Sequence, residues 1–136
     1  MKLSECVSNP QALVSIFGHF PNFIGEQITT LLLHQDGPTI DMIVDLAQTP
    51  KSPPKRWKEK FNGVSVELSF FGVESLSLTN WSNINIIKDF SVEMEEVSGI
   101  NWKNVELSTE EGVRFSFRCI DIRVTRITPA LFIENE

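Results

Sequence analysis

From Gln27 onward the chain is dominated by a two-residue rhythm of apolar and polar positions. In TIDMIVDL (39–46), Ile40, Met42, Val44 and Leu46 alternate with Asp41, Ile43 and Asp45. That period belongs to a strand with one buried face. The run before it, QITTLLLH (27–34), is joined to it by QDGP. Asp-Gly between two such runs predicts a hairpin, because the turn needs residues that tolerate positive φ. The pattern returns at Val64, Val66, Leu68 and Phe70, then at Leu76 and Leu78, before NWSN (80–83) turns the chain. Ile84, Ile86, Phe90, Val92 and Met94 are expected to share the next inner face, with Lys88 as the exception. Asn85, Asp89, Ser91, Glu93 and Glu95 lie opposite, and Val105 and Leu107 mark a short further strand.

The last long run, 112–127, buries Val113, Phe115, Phe117 and Cys119 and then changes phase, so that Ile120, Ile122 and Val124 take over. A slip of one residue in a period of two is what a β-bulge near Cys119 produces. Helical spacing occurs once, at Ala12, Leu13, Ile16 and Phe17, with Asn9 as expected cap, Pro10 at the first position and Gly18 as the stop. Segment 47–61 carries Pro50, Pro53 and Pro54 and is expected to be an exposed loop, with Trp57 packing back onto the body. These patterns predict a mostly β (α+β) chain: an antiparallel β-meander sheet, curled or bulged, with one short N-terminal helix. At 136 residues it is expected to form one domain, 1–136.

Composition narrows the setting. The hydrophobic share of 41% and ten phenylalanines supply a core. Two cysteines, Cys6 and Cys119, outside any CxxC pair, point to free thiols in a reducing compartment, with a single bridge as the alternative. The opening MKLSECVSNP has no apolar core of a signal peptide, and no stretch reaches the ~20 apolar residues of a membrane span, so the expected location is the cytoplasm. Net charge is −6, which argues against direct binding of nucleic acid. Within 51–60 five cations face one carboxylate, a local +4 that leaves −10 for the remainder.

Catalytic chemistry finds no support. His19 and His34 lie in different elements without metal-ligand spacing, and there is no GxSxG or phosphate-cradling glycine loop. The pairs Glu95–Glu96 and Glu110–Glu111 sit at strand ends or in a turn, where solvent keeps carboxylates ordinary. No catalytic residue, metal or cofactor is expected. The acids are concentrated instead: residues 89–111 hold Asp89, Glu93, Glu95, Glu96, Glu106, Glu110 and Glu111 against Lys103 alone. If Asp41, Asp45 and Glu67 share that face, the acidic surface is extended. A solvated sheet face that keeps the protein in solution is the plainer explanation. A docking site for a basic protein is the functional one. Trp81 and Trp102 are core plugs if buried and anchors of such a site if exposed. The candidate partner-binding residues are therefore Asp89, Glu93, Glu95, Glu106, Trp81 and Trp102.

The order of several short motifs carries a resemblance. Ile16-Phe17-Gly18-His19-Phe20-Pro21-Asn22-Phe23 resembles the opening of the immunity protein 50 family of bacterial polymorphic toxin systems. Leu68-Ser69-Phe70-Phe71-Gly72-Val73, Leu78-Thr79-Asn80-Trp81-Ser82-Asn83-Ile84-Asn85-Ile86-Ile87 and Val113-Arg114-Phe115-Ser116-Phe117-Arg118-Cys119 follow in the family's order, over most of 10–125. Where the family pattern has a His-Asp pair, this chain has Ile24-Gly25-Glu26, so no role of that pair is carried over. The resemblance implies a mostly β, non-enzymatic protein that binds and neutralises a cognate toxin, with no catalytic residues. An acidic inhibitor suits a basic target such as a nuclease. The alternative is a non-catalytic accessory subunit of a larger assembly, for which Phe71, Ile43 and Ile87 would form an outward apolar patch. A small hydrolase ranks third.

Overall fold

The Asp36-Gly37 turn is formed with Gly37 at φ 115°, a conformation closed to residues with a Cβ, and it joins β1 (Gln27–His34) to β2 (Thr39–Leu46) in antiparallel register. The computed structural model describes residues 2–133, so residues 1 and 134–136 of the expected domain range lie outside the described residues. The chain continues through β3 (Gly63–Phe71), β4 (Glu74–Thr79), β5 (Ile87–Val97), β6 (Ile100–Thr109), β7 (Arg114–Cys119) and β8 (Asp121–Ala130). Two short helices precede it, α1 (Leu3–Cys6) and α2 (Gln11–Phe17). The protein is mostly β with a short helical N-terminal part. Where one short strand was expected around Val105 and Leu107, β6 runs the full length of a long hairpin with β5.

The strands form two four-stranded sheets, a first of order β1-β2-β3-β8 and a second of order β4-β7-β6-β5; β1–β3 and β5–β7 are each a meander, to which β8 and β4 are added beside β3 and β7. They are joined where the chain turns a corner. β3 passes into β4 at Gly72, β7 passes into β8 at Ile120, and the Ile120 N–H donates to the Phe71 carbonyl at 2.8 Å across the bend. The phase slip near Cys119 is thus a strand leaving one sheet for the other, with Ile120 turned out to solvent, 49% exposed. A bulge proper lies further on in β8, where Thr125 is the extra residue beside Glu67 and Leu68.

Burial follows the alternation. Ile40, Met42, Val44, Leu46, Val64, Val66, Leu68 and Phe70 of the first sheet face Val92, Val105, Leu107, Phe115 and Phe117 of the second. Phe70 meets the Phe117 ring edge-on at 4.9 Å, and α2 adds Leu13, Ile16 and Phe17 to the same core. Each fully buried side chain of this size is worth roughly 1.5–3 kcal/mol relative to exposure.

Several expectations are corrected. Ile87 is buried and takes no part in an outward patch, while Ile84 is exposed and Asn85 is 2% exposed. The cause is a bulge at Lys88: the register slips between Ile87 and Asp89, so the inner face runs Ile87, Phe90, Val92. Asn85 is buried because its side chain is satisfied locally, accepting from Ser82 N–H at 3.1 Å and donating to the Ser82 carbonyl at 2.7 Å. Asn9 does not cap α2, whose start at Pro10 has no side-chain cap. Its amide instead donates to the Val124 carbonyl and accepts the Val124 N–H, both at 2.8 Å. With Val7 paired to Ile122, it closes the edge of β8, since a carboxamide offers the donor and acceptor of a peptide unit. Gly18 ends α2 as expected, at φ 82°.

The opposite corner is closed by Gly25 and Glu26. Gly25 N–H donates to the Ile87 carbonyl and Ile87 N–H to the Glu26 carbonyl, each at 2.8 Å, which ties the start of β1 to the start of β5. The loop 47–61 contains no helix or strand, but it is pinned: Ser52 N–H donates to the Ile16 carbonyl, and Trp57 packs on the core and edge-on against Phe61. At its end Gly63 is held close to the neighbouring chain. A Cβ there would stand 2.5 Å from the Leu46 carbonyl oxygen and against the Phe132 ring. Gly63→Ala is therefore expected to lower the unfolding free energy by about 1–3 kcal/mol, the usual cost of overpacking, read from the urea midpoint.

Candidate functional site

Strand pairing lines up the outward side chains of the second sheet in rows. Asp89 stands opposite Ser108 and Arg114, Ser91 opposite Glu106 and Ser116, and Glu93 opposite Asn104 and Arg118. Glu95 is paired with Trp102. The structure therefore brings Asp89, Glu93, Glu95, Glu106 and Trp102 onto one face, the side of β5–β6 that points away from the core. Trp81 is not on it; it is 42% exposed in the segment between β4 and β5. Asp41, Asp45 and Glu67 belong to the outer face of the first sheet, so the two acidic sets are not contiguous.

The face is a charged groove, not a flat wall. A depression of about 740 Å³ is lined by Asp89, Ser91, Glu106, Ser108, Arg114 and Ser116, among others. Asp89 and Glu106 stand on the β5–β6 side together with Lys88, and Arg114 on the β7 side. Asp89 accepts a long hydrogen bond from Ser108, 3.3 Å. Among the described residues, Glu93, Glu95 and Glu106 take part in no ion pair. They are held by a hydrogen-bonded sheet, so a cation arriving there finds its partners already ordered.

Trp102 is only 6% exposed although it lies on the outer side. Arg118 covers it, with the guanidinium carbon 4.2 Å from the ring centre, and reaches Glu74 of β4 at 2.8 Å. As an exposed anchor Trp102 is therefore corrected: it is a floor beneath Arg118. The exposed apolar groups at this end are others. Val97 and Ile100 flank the β5–β6 turn at 40% and 43% exposure, and Ile120 stands at the corner beyond Cys119. Val97 and Ile100 share the parity of Glu95 and Trp102, and Ile120 that of Arg114, Ser116 and Arg118. The sequence contains that signal, once the hairpin register is known.

The outer face of the first sheet carries a polar chain of a different kind. His34 Nε2 lies 2.7 Å from Asp41 Oδ2, Ser69 donates to Asp41 Oδ1 at 2.6 Å, and Ser69 and Thr125 are 2.8 Å apart. Thr125 in turn donates to Glu67 at 2.7 Å. Histidine, aspartate and serine are together, but His34 and Ser69 hold opposite oxygens of Asp41 and no hydrogen bond joins them. A serine nucleophile needs its base on the hydroxyl. These contacts instead cross-link β1, β2, β3 and β8. Among the described residues no group of three or more His, Cys, Asp or Glu is placed to hold a metal ion. No helix among them is long and apolar enough to cross a membrane.

Cys6 and Cys119 are both free and buried. Burial raises both thiols, and Cys119 is pushed up to about 12, Lys103 offsetting only part of the effect. The thiolate is the reactive form, so neither cysteine is an activated nucleophile.

A family model described as immunity protein 50 matches residues 9–130, from the residue that closes β8 to the last residue of that strand. No curated protein matches the sequence.

Two outcomes are expected from this geometry. Both thiols should resist iodoacetamide in the native protein at pH 8 and react on unfolding. Because burial raises both folded pKa values above 9, the thiols' contribution to stability is complete below pH 9 and is lost as pH rises beyond it, for Cys119 towards about 12. Arg118→Ala should shift tryptophan emission to the red by wetting Trp102, and cost about 1 kcal/mol in a urea titration.

Proposed function

The chain belongs to the immunity protein 50 family, and on that premise we propose that it neutralises one cognate bacterial toxin domain by binding it stoichiometrically, with no chemical step of its own. The residues 1–136 act as one domain in the cytoplasm, and the outer face of the second sheet is the docking surface. Glu93, Glu95 and Glu106, with Asp89 at the groove, meet basic groups of the toxin; a nuclease, whose substrate channel is basic, is the kind of target that fits. Val97, Ile100 and Ile120 supply the apolar contact at one end, and Trp81 reaches the toxin from the neighbouring loop.

The observation that carries this reading is the set of carboxylates without cation partners, held on a rigid sheet beside a groove of about 740 Å³. A surface kept acidic only for solubility has no need to line three acids along one face of β5, with Glu106 beside them on β6. Such an array steers a basic partner during encounter and rejects acidic ones. The polar chain on the first sheet lacks this character, because Asp41, Asp45 and Glu67 are each engaged by neighbouring hydroxyls.

Co-expression tests the proposal. The toxin domain encoded by the adjacent gene is induced in a sensitive host with and without this chain. Survival is expected with the native chain and is expected to fall when Asp89→Lys, Glu93→Lys and Glu95→Lys are combined, circular dichroism verifying the fold. Like charges in place of attractive pairs at a desolvated contact cost about 2–5 kcal/mol of binding, enough to lose protection at modest expression. Survival with the triple variant would move the interface elsewhere. Death with the native chain would defeat the immunity reading for that toxin.

A further inference from the structure

The two sheets differ in how their edges are finished. The edge of β8 is closed by Val7 and by the Asn9 side chain, and the start of β1 is tied to Ile86 and Asn85. β4 is short and broken by Ser75 at positive φ. β5 is the longest open edge: its backbone pairs with β6 on one side, and among the described residues no backbone hydrogen bond reaches the other side from Lys88 to Val97, whereas the open part of β1, from Thr29 to His34, is shorter and carries no acid. An exposed edge of this length is a template for another strand.

We infer that the free edge of β5 takes up an extended segment of the partner as an added antiparallel strand, and that the segment alternates Lys or Arg with apolar residues. The inference rests on the toxin-binding reading and specifies its mode. Two facts of the edge set the partner's chemistry. Asp89, Glu93 and Glu95 project on the outer side, and each would stand beside a side chain of the incoming strand, where an opposite charge stabilises and a like charge destabilises. Phe90, Val92 and Met94 project on the other side, and Met94 is 43% exposed, so apolar residues are favoured at the alternate positions. The same acids disfavour a second copy of this chain, since pairing β5 with itself about Glu93 sets Glu93 against Glu93. Backbone bonds would supply the affinity and the alternation the selectivity, as in other strand-addition complexes.

The probe is a ten-residue synthetic peptide of alternating Lys with Val or Thr, compared with the same peptide carrying Glu for Lys and with one carrying a central proline. Binding is measured by calorimetry and located by amide hydrogen exchange. The lysine peptide is expected to bind and to slow exchange within 88–97. The proline peptide, which loses a donor and distorts the strand, should bind about tenfold more weakly, and the glutamate peptide at least as poorly. Equal binding of the proline peptide would mean attraction of charge without strand addition, and would overturn the inference. So would protection at β1, or no binding at all. The outcome is separate from the rescue assay: survival of cells together with an unprotected β5 edge in the toxin complex would sink the strand-addition mode and leave the immunity reading standing.

Discussion

At Gly72 and Ile120 two antiparallel strands bend side by side, and the hydrogen bond from Ile120 N–H to the Phe71 carbonyl keeps them paired through the bend. A long strand cannot turn onto a second sheet without losing ladder bonds unless its neighbour turns with it. Here both do. Gly72, at φ 68°, meets the requirement directly, and a Cβ there would come within 2.9 Å of the Ile120 side chain. The corner divides the strands between two layers, brings Phe70 onto Phe117, and turns Ile120 outward. It also leaves each sheet with edges, which the chain finishes by different means: a side-chain amide at β8, a short bridge at β1, and acid at β5.

Much of this was legible in the period-2 pattern. The bounds of β1 and β2 follow from the alternation around Asp36-Gly37, and the end of α2 follows from Gly18. The resemblance over 10–125 and the family match over 9–130 cover the same body. The losses were of one physical kind. A slip of phase looks alike whether it marks a bulge or a strand changing sheets, so Cys119 was located but not understood. Asn9 stands where a cap belongs, yet its amide is equally suited to a strand edge 115 residues away, and only tertiary contact decides. Parity says which residues share a strand face; it does not say which strands share a sheet. Hence Asp89, Glu93 and Glu95 were grouped correctly, while Asp41, Asp45 and Glu67 fell on the other layer. Trp102 has outward parity and is still buried, because Arg118 lies across it.

The charge of the molecule is arranged, not merely negative. Acids engaged by hydroxyls hold the first sheet together from outside. On the second sheet Glu93, Glu95 and Glu106 stand outward, and among the described residues none of the three forms an ion pair. The exposed cations of 51–60 lie elsewhere, on the loop pinned to the end of α2 by Ser52, and among the described residues none of them forms an ion pair. Net charge of −6 thus conceals an uneven distribution, with acids on the outer face of the second sheet and cations on the loop 51–60.

The alternation along β5, β6 and β7 has a consequence for how such a protein changes over generations. Val92, Val105, Leu107, Phe115 and Phe117 carry the core, while Glu93, Glu106, Ser116 and Arg118 occupy the intervening places on the same strands. The requirement to fold bears on the first set, and of the second on Arg118 alone, which covers Trp102. Because the two sets interleave without sharing side-chain contacts across the sheet, the outward residues form an alphabet that can be rewritten while the inward ones stay constant. A sheet built this way can take new outward side chains by substitution, with no need of a new scaffold.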